Sequence, residues 1–432
     1  MLNSHCISLL QLMSRDLFAL GVCDLVLVLY TFTSYALVCY QVSVGHVSRG
    51  LIVMQHLLQC GLFALSAFFV FQRDWPWPQS GSLSLHTIVL FMKMHSYSRT
   101  NQELFADKHP LYPNNVSLAN FIDFLLVPTL VYEPSYPRTD RVRFGYLIEK
   151  AICFIGAATL LYLDITHYMY PVFDALATTS FVESIVLLVF PFTLAYLLIF
   201  YLIFECVTNF MAEATCFADR EFYEDWWNCT NFDEFSRRWN KPVHAWLLRH
   251  VYLESIRSYR VSKTNATVAT FVFSMLLHEL ALTVTGRRFR PYIFALAMVQ
   301  LLVIPLLRHP LFKGRRLGNV FFWLGILWGF PMLAVLYARE NYNLPPPDAT
   351  VVIYAGVVIG AFVLFAVGAR VSFAYATRRS GEKQEKEEKE EEKETKEEKE
   401  EKEEKAAEKV EKTEREVRAI RRSSRKLTKR DL

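Results

Sequence analysis

Paired cysteines are missing from this chain. Its eight cysteines stand singly, with Cys23, Cys39, Cys60, Cys153 and Cys206 in or beside apolar stretches, and no C-x-x-C or Cys/His ligand spacing occurs. Neither a disulfide framework nor a zinc site is expected, and no other metal or cofactor is called for. An excess of one charge is also missing. Lys and Arg number 47 against 43 Asp and Glu, a formal net charge of +4, so no nucleic-acid partner is expected. The N-terminus lacks the basic region, short apolar core and small-residue cleavage site of a secretory signal, so the first spanning helix is expected to serve as an internal signal. No repeat relates the two halves of the chain, which weighs against a transporter built from inverted repeats.

Apolar residues are plentiful, at 53% of the chain. Stretches of spanning length run from Leu17 to Tyr40, Leu51 to Phe71, Leu147 to Tyr170, Phe181 to Phe204, Ala266 to Thr285, Pro291 to Leu307, Asn319 to Ala338 and Ala349 to Thr377. Two further segments are ambiguous. Leu83 to Met94 is too short to cross a core roughly 30 Å thick, and Leu118 to Tyr132 contains Pro128, so each is expected to tilt, re-enter or lie at the interface. The expectation is an all-α polytopic membrane protein of about eight to ten helices. It divides into a short N-terminal segment (1–14), a core (15–345), an additional hydrophobic helix (349–377) and a Lys/Glu-rich tail (380–432). The tail has too few apolar residues to bury a core and reads as disordered or as a solvated single helix. Arg378 and Arg379 directly follow the last apolar stretch and place that end in the cytosol.

Within "ATFVFSMLLHELALTVTG", Ala269 to Gly286, a histidine and a glutamate interrupt a spanning segment. An ionisable residue at membrane depth costs roughly 2.5 to 3.5 kcal/mol even on the lenient insertion scale, so it usually faces a protein interior or a wet cavity. A lone buried histidine is often only a satisfied core residue. Against that, Glu279 follows His278 directly, Ser274 lies one turn earlier on the same face, and an aromatic polar segment precedes the helix. Consecutive residues project about 100° apart, so Glu279 does not orient His278, and a carboxylate or carbonyl partner is expected from another helix. Burial disfavours the imidazolium form, leaving a neutral ring able to take a proton from an alcohol. A zinc-binding H-E-x-x-H would need histidine where Leu282 stands.

The second stretch is "FYEDWWN", Phe222 to Asn228. It has a plain reading as an interfacial aromatic belt. The acids Glu224 and Asp225 fit that reading poorly. If helical, Tyr223, Trp226 and Trp227 share one side and wall the amide of Asn228, which could donate to a thioester carbonyl or hold a nucleophile's hydroxyl. Asn115, Asn228 and Asn265 also head glycosylation sequons, and a glycan on Asn228 would remove that role. Farther on, Val243, Leu247 and Val251 recur at helical spacing after Pro242, reading as an amphipathic helix in the interface with Arg249, Arg257 and Arg260 toward the headgroups.

Several motifs occur in order: "MKMHSY" (Met92 to Tyr97), "PTLVYEPSYPRTDRVR" (Pro128 to Arg143), "FADREFYEDWWN" (Phe217 to Asn228), "RWNKPVHAWLLRHVY" (Arg238 to Tyr252), "LLHELAL" (Leu276 to Leu282) and "GNVFFWLGI" (Gly318 to Ile326). Over roughly Ser14 to Asn341 the chain resembles the membrane-bound O-acyltransferases, in particular the sterol O-acyltransferase branch and its fungal-type members. The resemblance implies about nine helices around a tunnel in the endoplasmic reticulum membrane. Long-chain acyl-CoA is then a co-substrate entering from the cytosol, and a sterol such as ergosterol or cholesterol enters from the bilayer. His278 matches the family's catalytic histidine, Asn228 its essential motif asparagine and Trp227 that residue's neighbour. Ser274, Tyr223 and Trp226 are expected to line the substrates. CoA phosphates need cations, for which Arg238, Lys241, Arg249 and Lys263 are candidates, each with a plain alternative as a solvated or headgroup-facing charge. The long polar N-terminal region of the animal enzymes is absent, so a homodimer through spanning helices is expected. The rival acceptor is diacylglycerol, giving triacylglycerol, and the rival class is a proton-coupled transporter using His278 and Glu279.

Overall fold

The computed structural model describes residues 15–308, 312 and 314–345. The expected N-terminal segment, the helix over 349–377 and the charged tail lie outside these residues. Polar caps punctuate the apolar sequence. The described residues begin with α1 (Leu17–Tyr30) and α2 (Phe32–Val44), which form one apolar rod interrupted at Thr31 and ended by Gly45 at φ +70°. Ser48 accepts from the Leu51 N–H to start α3 (Arg49–Arg73), and Pro76 and Pro78 open α4 (Trp77–Ala106). Then follow the short α5 (Leu118–Leu126) and α6 (Phe144–Asp164), which runs through a π-helical turn (Ile165–Met169) into α7 (Tyr170–Asp174). A reciprocal capping box of Ser180 and Glu183 begins α8 (Phe181–Phe200), which passes through a second π-helical turn (Tyr201–Val207) into α9 (Thr208–Ala214).

The polar stretch after α9 folds as a 3₁₀ turn (Trp226–Asn228), α10 (Phe232–Arg238), α11 (Lys241–Leu247), a π-helical turn (Leu248–Leu253) and α12 (Glu254–Arg257). Ser262 caps α13 (Lys263–Gly286), which is followed by α14 (Tyr292–Leu307) and α15 (Arg316–Asn341). Among the described residues, six helical rods are long and apolar enough to cross a membrane: Leu17–Val44, Arg49–Arg73, Phe144–Asp174, Phe181–Ala214, Lys263–Gly286 and Arg316–Asn341. The chain is a multi-pass, all-helical membrane protein.

Two expectations change. The segment Leu83 to Met94 is part of α4, a single helix of 30 residues, about 45 Å long at 1.5 Å per residue. Its polar side chains kept it out of a hydropathy reading, yet they lie inside the bundle. Thr87 donates to Ser66 Oγ at 2.7 Å, Gln102 donates to Gln55 at 2.9 Å, and Ser80, Ser96, Asn101 and Lys93 are buried. Partners on neighbouring segments and within α4 itself satisfy these groups, and α4 is a central packing element against α1, α2, α3 and α13. Conversely, Leu118 to Tyr132 contains only the nine-residue α5, far too short to span, and α14 stops at 16 residues.

Lys93 fixes where α5 ends. Its ammonium donates to the carbonyls of Phe124, Leu125 and Val127 at 2.6, 3.1 and 2.8 Å and lies 4.8 Å from the centre of the Phe124 ring. Terminal carbonyls lacking a helical partner are thereby satisfied from a neighbouring helix. Beside this clamp, Tyr97, Phe121, Phe124 and Tyr132 join an aromatic core that continues to Phe200, Phe204, Trp226 and Phe322. Lys93→Met should leave the Phe124 and Leu125 carbonyls unpaired, at about 1 to 3 kcal/mol for each one that finds no water, whereas Val127 keeps the Thr129 N–H at 2.9 Å. A clear fall in the thermal melting midpoint of the detergent-purified protein is the expected reading; an unchanged midpoint would remove the clamp.

Candidate functional site

The FYEDWWN segment is not a helix. Only Trp226–Asn228 form a 3₁₀ turn, and Tyr223 lies outside it in extended chain. The wall of three rings on one helical side is therefore corrected: Trp227 lies 5.9 Å from Trp226 and 6.4 Å from Tyr223 by ring centres, with Trp226 buried and Trp227 41% exposed. Trp226 is the anchor. Tyr196, Phe200, Phe235, Trp239 and Trp323 surround it. The Tyr223 hydroxyl donates to Glu205.

The motif GNVFFWLGI at the start of α15 holds this turn in place. Asn319 Nδ2 donates to the carbonyls of Trp227 at 2.8 Å and Cys229 at 2.9 Å, and Trp323 Nε1 donates to the Trp227 carbonyl at 3.0 Å. Gly318 is required by close approach. A Cβ there would sit 2.2 Å from the Phe312 carbonyl oxygen and 2.8 Å from that of Thr230. Gly325 admits the Phe232 ring, whose Cζ would be 2.6 Å from a Cβ. Two motifs ninety residues apart thus form one unit. Burial, with Glu234 nearby, pushes the Cys229 thiol up to about 12, which leaves it a poor nucleophile.

Asn228 is exposed on this turn, and its Nδ2 donates to Asp225 Oδ2 at 3.2 Å. Among the described residues no protein donor bonds its amide oxygen, which is open to a donor on an incoming group. Asn115 is different. It is 7% exposed and donates to Asn101 Oδ1 at 2.7 Å and to the Tyr132 hydroxyl at 2.9 Å, so its sequon is structural.

The expected phosphate-binding cations are already paired. Arg238 reaches Glu224, Asp225 and Glu234 at 3.7, 3.3 and 3.2 Å, and Lys241 reaches Glu221 and Glu224 at 2.6 and 3.0 Å. The hydrogen bond to Glu221 raises Lys241 above its ordinary value and lowers Glu221 below its own. Arg249 pairs with Glu133 at 2.5 Å and with Glu103 at 3.6 Å. Arg238 and Lys241 line a cleft of about 630 Å³ together with Asp219, Glu221, Glu224 and Glu234, so any anion there must displace carboxylates. Lys263, the first residue of α13, is exposed.

The amphipathic segment is helical as expected, but its apolar face does not lie in the interface. Val243, Leu247 and Val251 pack with Met92, Leu130 and Phe273, and buried Trp246 donates Nε1 to the Met92 carbonyl at 2.8 Å. The segment is docked on α4 and on α13, the helix that carries His278.

His278 itself is exposed, which corrects the expectation of a ring buried against protein. Its Nδ1 lies 2.8 Å from the Ser274 carbonyl oxygen, so the partner comes from its own helix rather than another. A carbonyl only accepts; Nδ1 therefore carries the proton and Nε2 presents a free lone pair. Two residues along a helix turn the projection by about 200°, so Leu276 and Leu280, 52% and 37% exposed, lie opposite His278. Ala281 and Thr285, which project within about 60° of His278, are 7% and 8% exposed. His278 is thus exposed on the side of α13 that also carries buried Ala281 and Thr285, opposite Leu276 and Leu280, the latter of which lines a small cavity with Phe63, Ser66 and Thr87.

Glu279 is buried, and its role was not legible in the sequence. It accepts from the Phe294 N–H and the Tyr337 hydroxyl, both at 3.0 Å, tying α13 to α14 and α15. Among the described residues no hydrogen bond or ring contact joins His278 to Asn228 or Trp227; α15 links them, gripping the turn at one end and Glu279 at the other.

An all-helical bundle with this docked turn and a histidine in a spanning helix is the construction of a particular membrane-enzyme class. The match to the membrane-bound O-acyltransferase family covers residues 17–338, and the chain belongs to that family. Among named relatives, it is 38% identical over 311 residues, 61% of this chain and 66% of the relative, to a probable sterol O-acyltransferase 2 of Schizosaccharomyces pombe. To sterol O-acyltransferase 2 of Saccharomyces cerevisiae it is 35% identical over 320 residues, 60% of this chain and 50% of the relative. A diacylglycerol O-acyltransferase 1 of Dictyostelium discoideum is 36% identical over 293 residues, 63% of this chain and 47% of that protein. The chain spans about half to two thirds of the length of these relatives.

Gly318→Ala should displace the Trp226–Asn228 turn at a cost of about 1 to 3 kcal/mol. Gly329→Ala, in the same helix with no atom within 4 Å of its added carbon, should be neutral. Melting midpoints and protease sensitivity of the two variants measure the difference.

Proposed function

We propose that this chain is a sterol O-acyltransferase of the endoplasmic reticulum membrane, moving a long-chain acyl group from acyl-CoA to the 3β-hydroxyl of a sterol. The observation that carries the reading is the His278 ring in a spanning helix, held through Nδ1 by the Ser274 carbonyl with Nε2 free. The relatives named for sterols support the acceptor, and family membership weighs against a proton-coupled transporter.

In this reading Nε2 of His278 takes the hydroxyl proton as the alcohol oxygen attacks the thioester carbon. The carbon–sulfur bond then breaks, and the imidazolium returns its proton to the CoA sulfur. General-base help of this kind is worth about 10² to 10⁴ in rate. Asn228 offers its amide to the thioester or hydroxyl, and Trp227 walls that position. Tyr223 and Trp226 support the turn, while Ser274 sets the tautomer of the base through its carbonyl. Lys263 is the cation best placed to meet CoA phosphates, because Arg238, Lys241 and Arg249 would first have to leave carboxylate partners. Diacylglycerol as acceptor is the second reading, favoured by the similarity to the Dictyostelium protein.

Microsomes containing the protein, given labelled oleoyl-CoA with ergosterol, cholesterol or diacylglycerol, should form steryl esters. Label in triacylglycerol alone would establish the second reading instead. His278→Ala that accumulates normally should lose at least about 10²-fold in rate; retained synthesis would remove the base. Lys263→Ala should mainly raise the apparent KM for acyl-CoA.

A further inference from the structure

Away from His278, where α4 meets the segment leading into α13, a second polar cluster lies inside the protein. His95 from α4, His250 from the π-helical turn and Glu254 from α12 each bring one potential ligand atom to within 4.8 Å of the others. The imidazoles stand 5.4 Å apart and nearly perpendicular, with Trp246 5.5 Å from each.

The hydrogen bonds leave the cluster with converging acceptors. His250 Nε2 lies 2.8 Å from Ser96 Oγ, which also accepts the Tyr132 N–H. If Nε2–H donates to Ser96, Nδ1 of His250 is a bare lone pair, and that atom is buried without a partner. His95 shows the same pattern. Its Nδ1 faces the Gln59 amide at 3.4 Å, while its Nε2 is buried without a partner. Turning the Gln59 amide over would let its oxygen accept from His95 Nδ1 and its nitrogen donate to His56 Nδ1, which now lies 3.2 Å from Oε1. Orphaned buried polar atoms call for an explanation. Two lone pairs and a carboxylate ask for a cation.

We propose that His95, His250 and Glu254 bind a divalent transition-metal ion of the zinc class. Imidazole nitrogens and a carboxylate suit that class, and three protein ligands leave a fourth position for water. Zinc–ligand bonds near 2.0 to 2.1 Å put tetrahedral ligand atoms about 3.3 Å apart, so the three groups must draw in by an ångström or more. Each has an orienting outer partner: Ser96 for His250, Gln59 for His95, and Arg99, 3.2 Å from Glu254 Oε1. Arg99 and Arg249 are nearby positive charges, offset by Glu103 and Glu133. Bound there, the ion pins the segment before α13 onto α4. Spacing tests for C-x-x-C and H-E-x-x-H do not detect it, because the ligands come from two elements about 155 residues apart; only His250 and Glu254, at i and i+4, share a local signal.

The test uses the full chain purified in detergent, stripped with EDTA and reloaded with zinc chloride or cobalt chloride. About one zinc per chain should survive desalting, and cobalt should give the intense visible bands of a four-coordinate site that zinc abolishes. His95→Gln and His250→Gln should each weaken zinc binding by more than the about 10-fold seen for outer-shell changes; His46→Gln, at an exposed histidine, should not. The proposal is overturned if the unsubstituted chain retains no more zinc than the His95→Gln/His250→Gln double variant, or if cobalt shows only the faint bands of the hydrated ion. The cobalt spectrum is taken on the unsubstituted chain, so it decides the matter even where a variant fails to fold.

Discussion

A single buried carboxylate sets the geometry around His278. Glu279 accepts a backbone N–H from α14 and a hydroxyl from α15, so three helices meet at one acidic group inside a spanning segment. Such a group is costly unless its donors are supplied by protein, and here they are. Because Glu279 and His278 are adjacent, the bonds that hold the acid also fix the rotation of α13 about its axis. With about 100° between neighbours, anchoring Glu279 toward α14 and α15 directs His278 away from Leu276 and Leu280. The ring's orientation is thus inherited from its neighbour's hydrogen bonds, and the Ser274 carbonyl then selects which nitrogen stays bare.

The same helix that supplies Tyr337 supplies Asn319 and Trp323 to the DWWN turn. About 21 Å of helix separates Trp323 from Tyr337 at 1.5 Å per residue. α15 therefore acts as a strut between the two motifs. Gly318 and Gly325 let it approach Phe312, Thr230 and Phe232 closely enough to serve. This explains why a glycine- and aromatic-rich stretch far along the chain belongs with FYEDWWN although it carries no ionisable group.

Sequence periodicity revealed most of the spanning helices because lipid-facing surface must be apolar, and exposed residues such as Phe190 and Ile155 report it directly. α4 escaped because its environment is protein. Ser84, Thr87, Lys93 and Gln102 are polar, and a hydropathy window counts them against a span, although each lies inside the bundle. His278 and Asn228 were legible as chemical types in improbable places. Their surroundings were not. Apart from the i,i+4 pair of Arg238 with Glu234, the pairings of Arg238, Lys241 and Arg249 depend on acids up to 146 residues away, of which local spacing holds no record. The 3₁₀ turn was likewise invisible, since the i, i+3, i+4 pattern of Tyr223, Trp226 and Trp227 also suits an α-helix.

Exposure of His278 bears on mechanism in a way burial would not. A fully enclosed imidazole has no path to an alcohol, whereas a ring open to hydrocarbon has no reason to be there. The observed ring is exposed, yet it shares its side of α13 with buried Ala281 and Thr285. In the proposed reaction the base needs a substrate that can reach it, and an exposed ring on a spanning helix meets that need for an alcohol dissolved in the bilayer. The lone pair on Nε2 is oriented before any substrate enters, because the donor bond to Ser274 lies within a regular helix. In the proposed mechanism that fixed tautomer lowers the reorganisation needed for proton transfer, the advantage an oriented side chain has over water as a base.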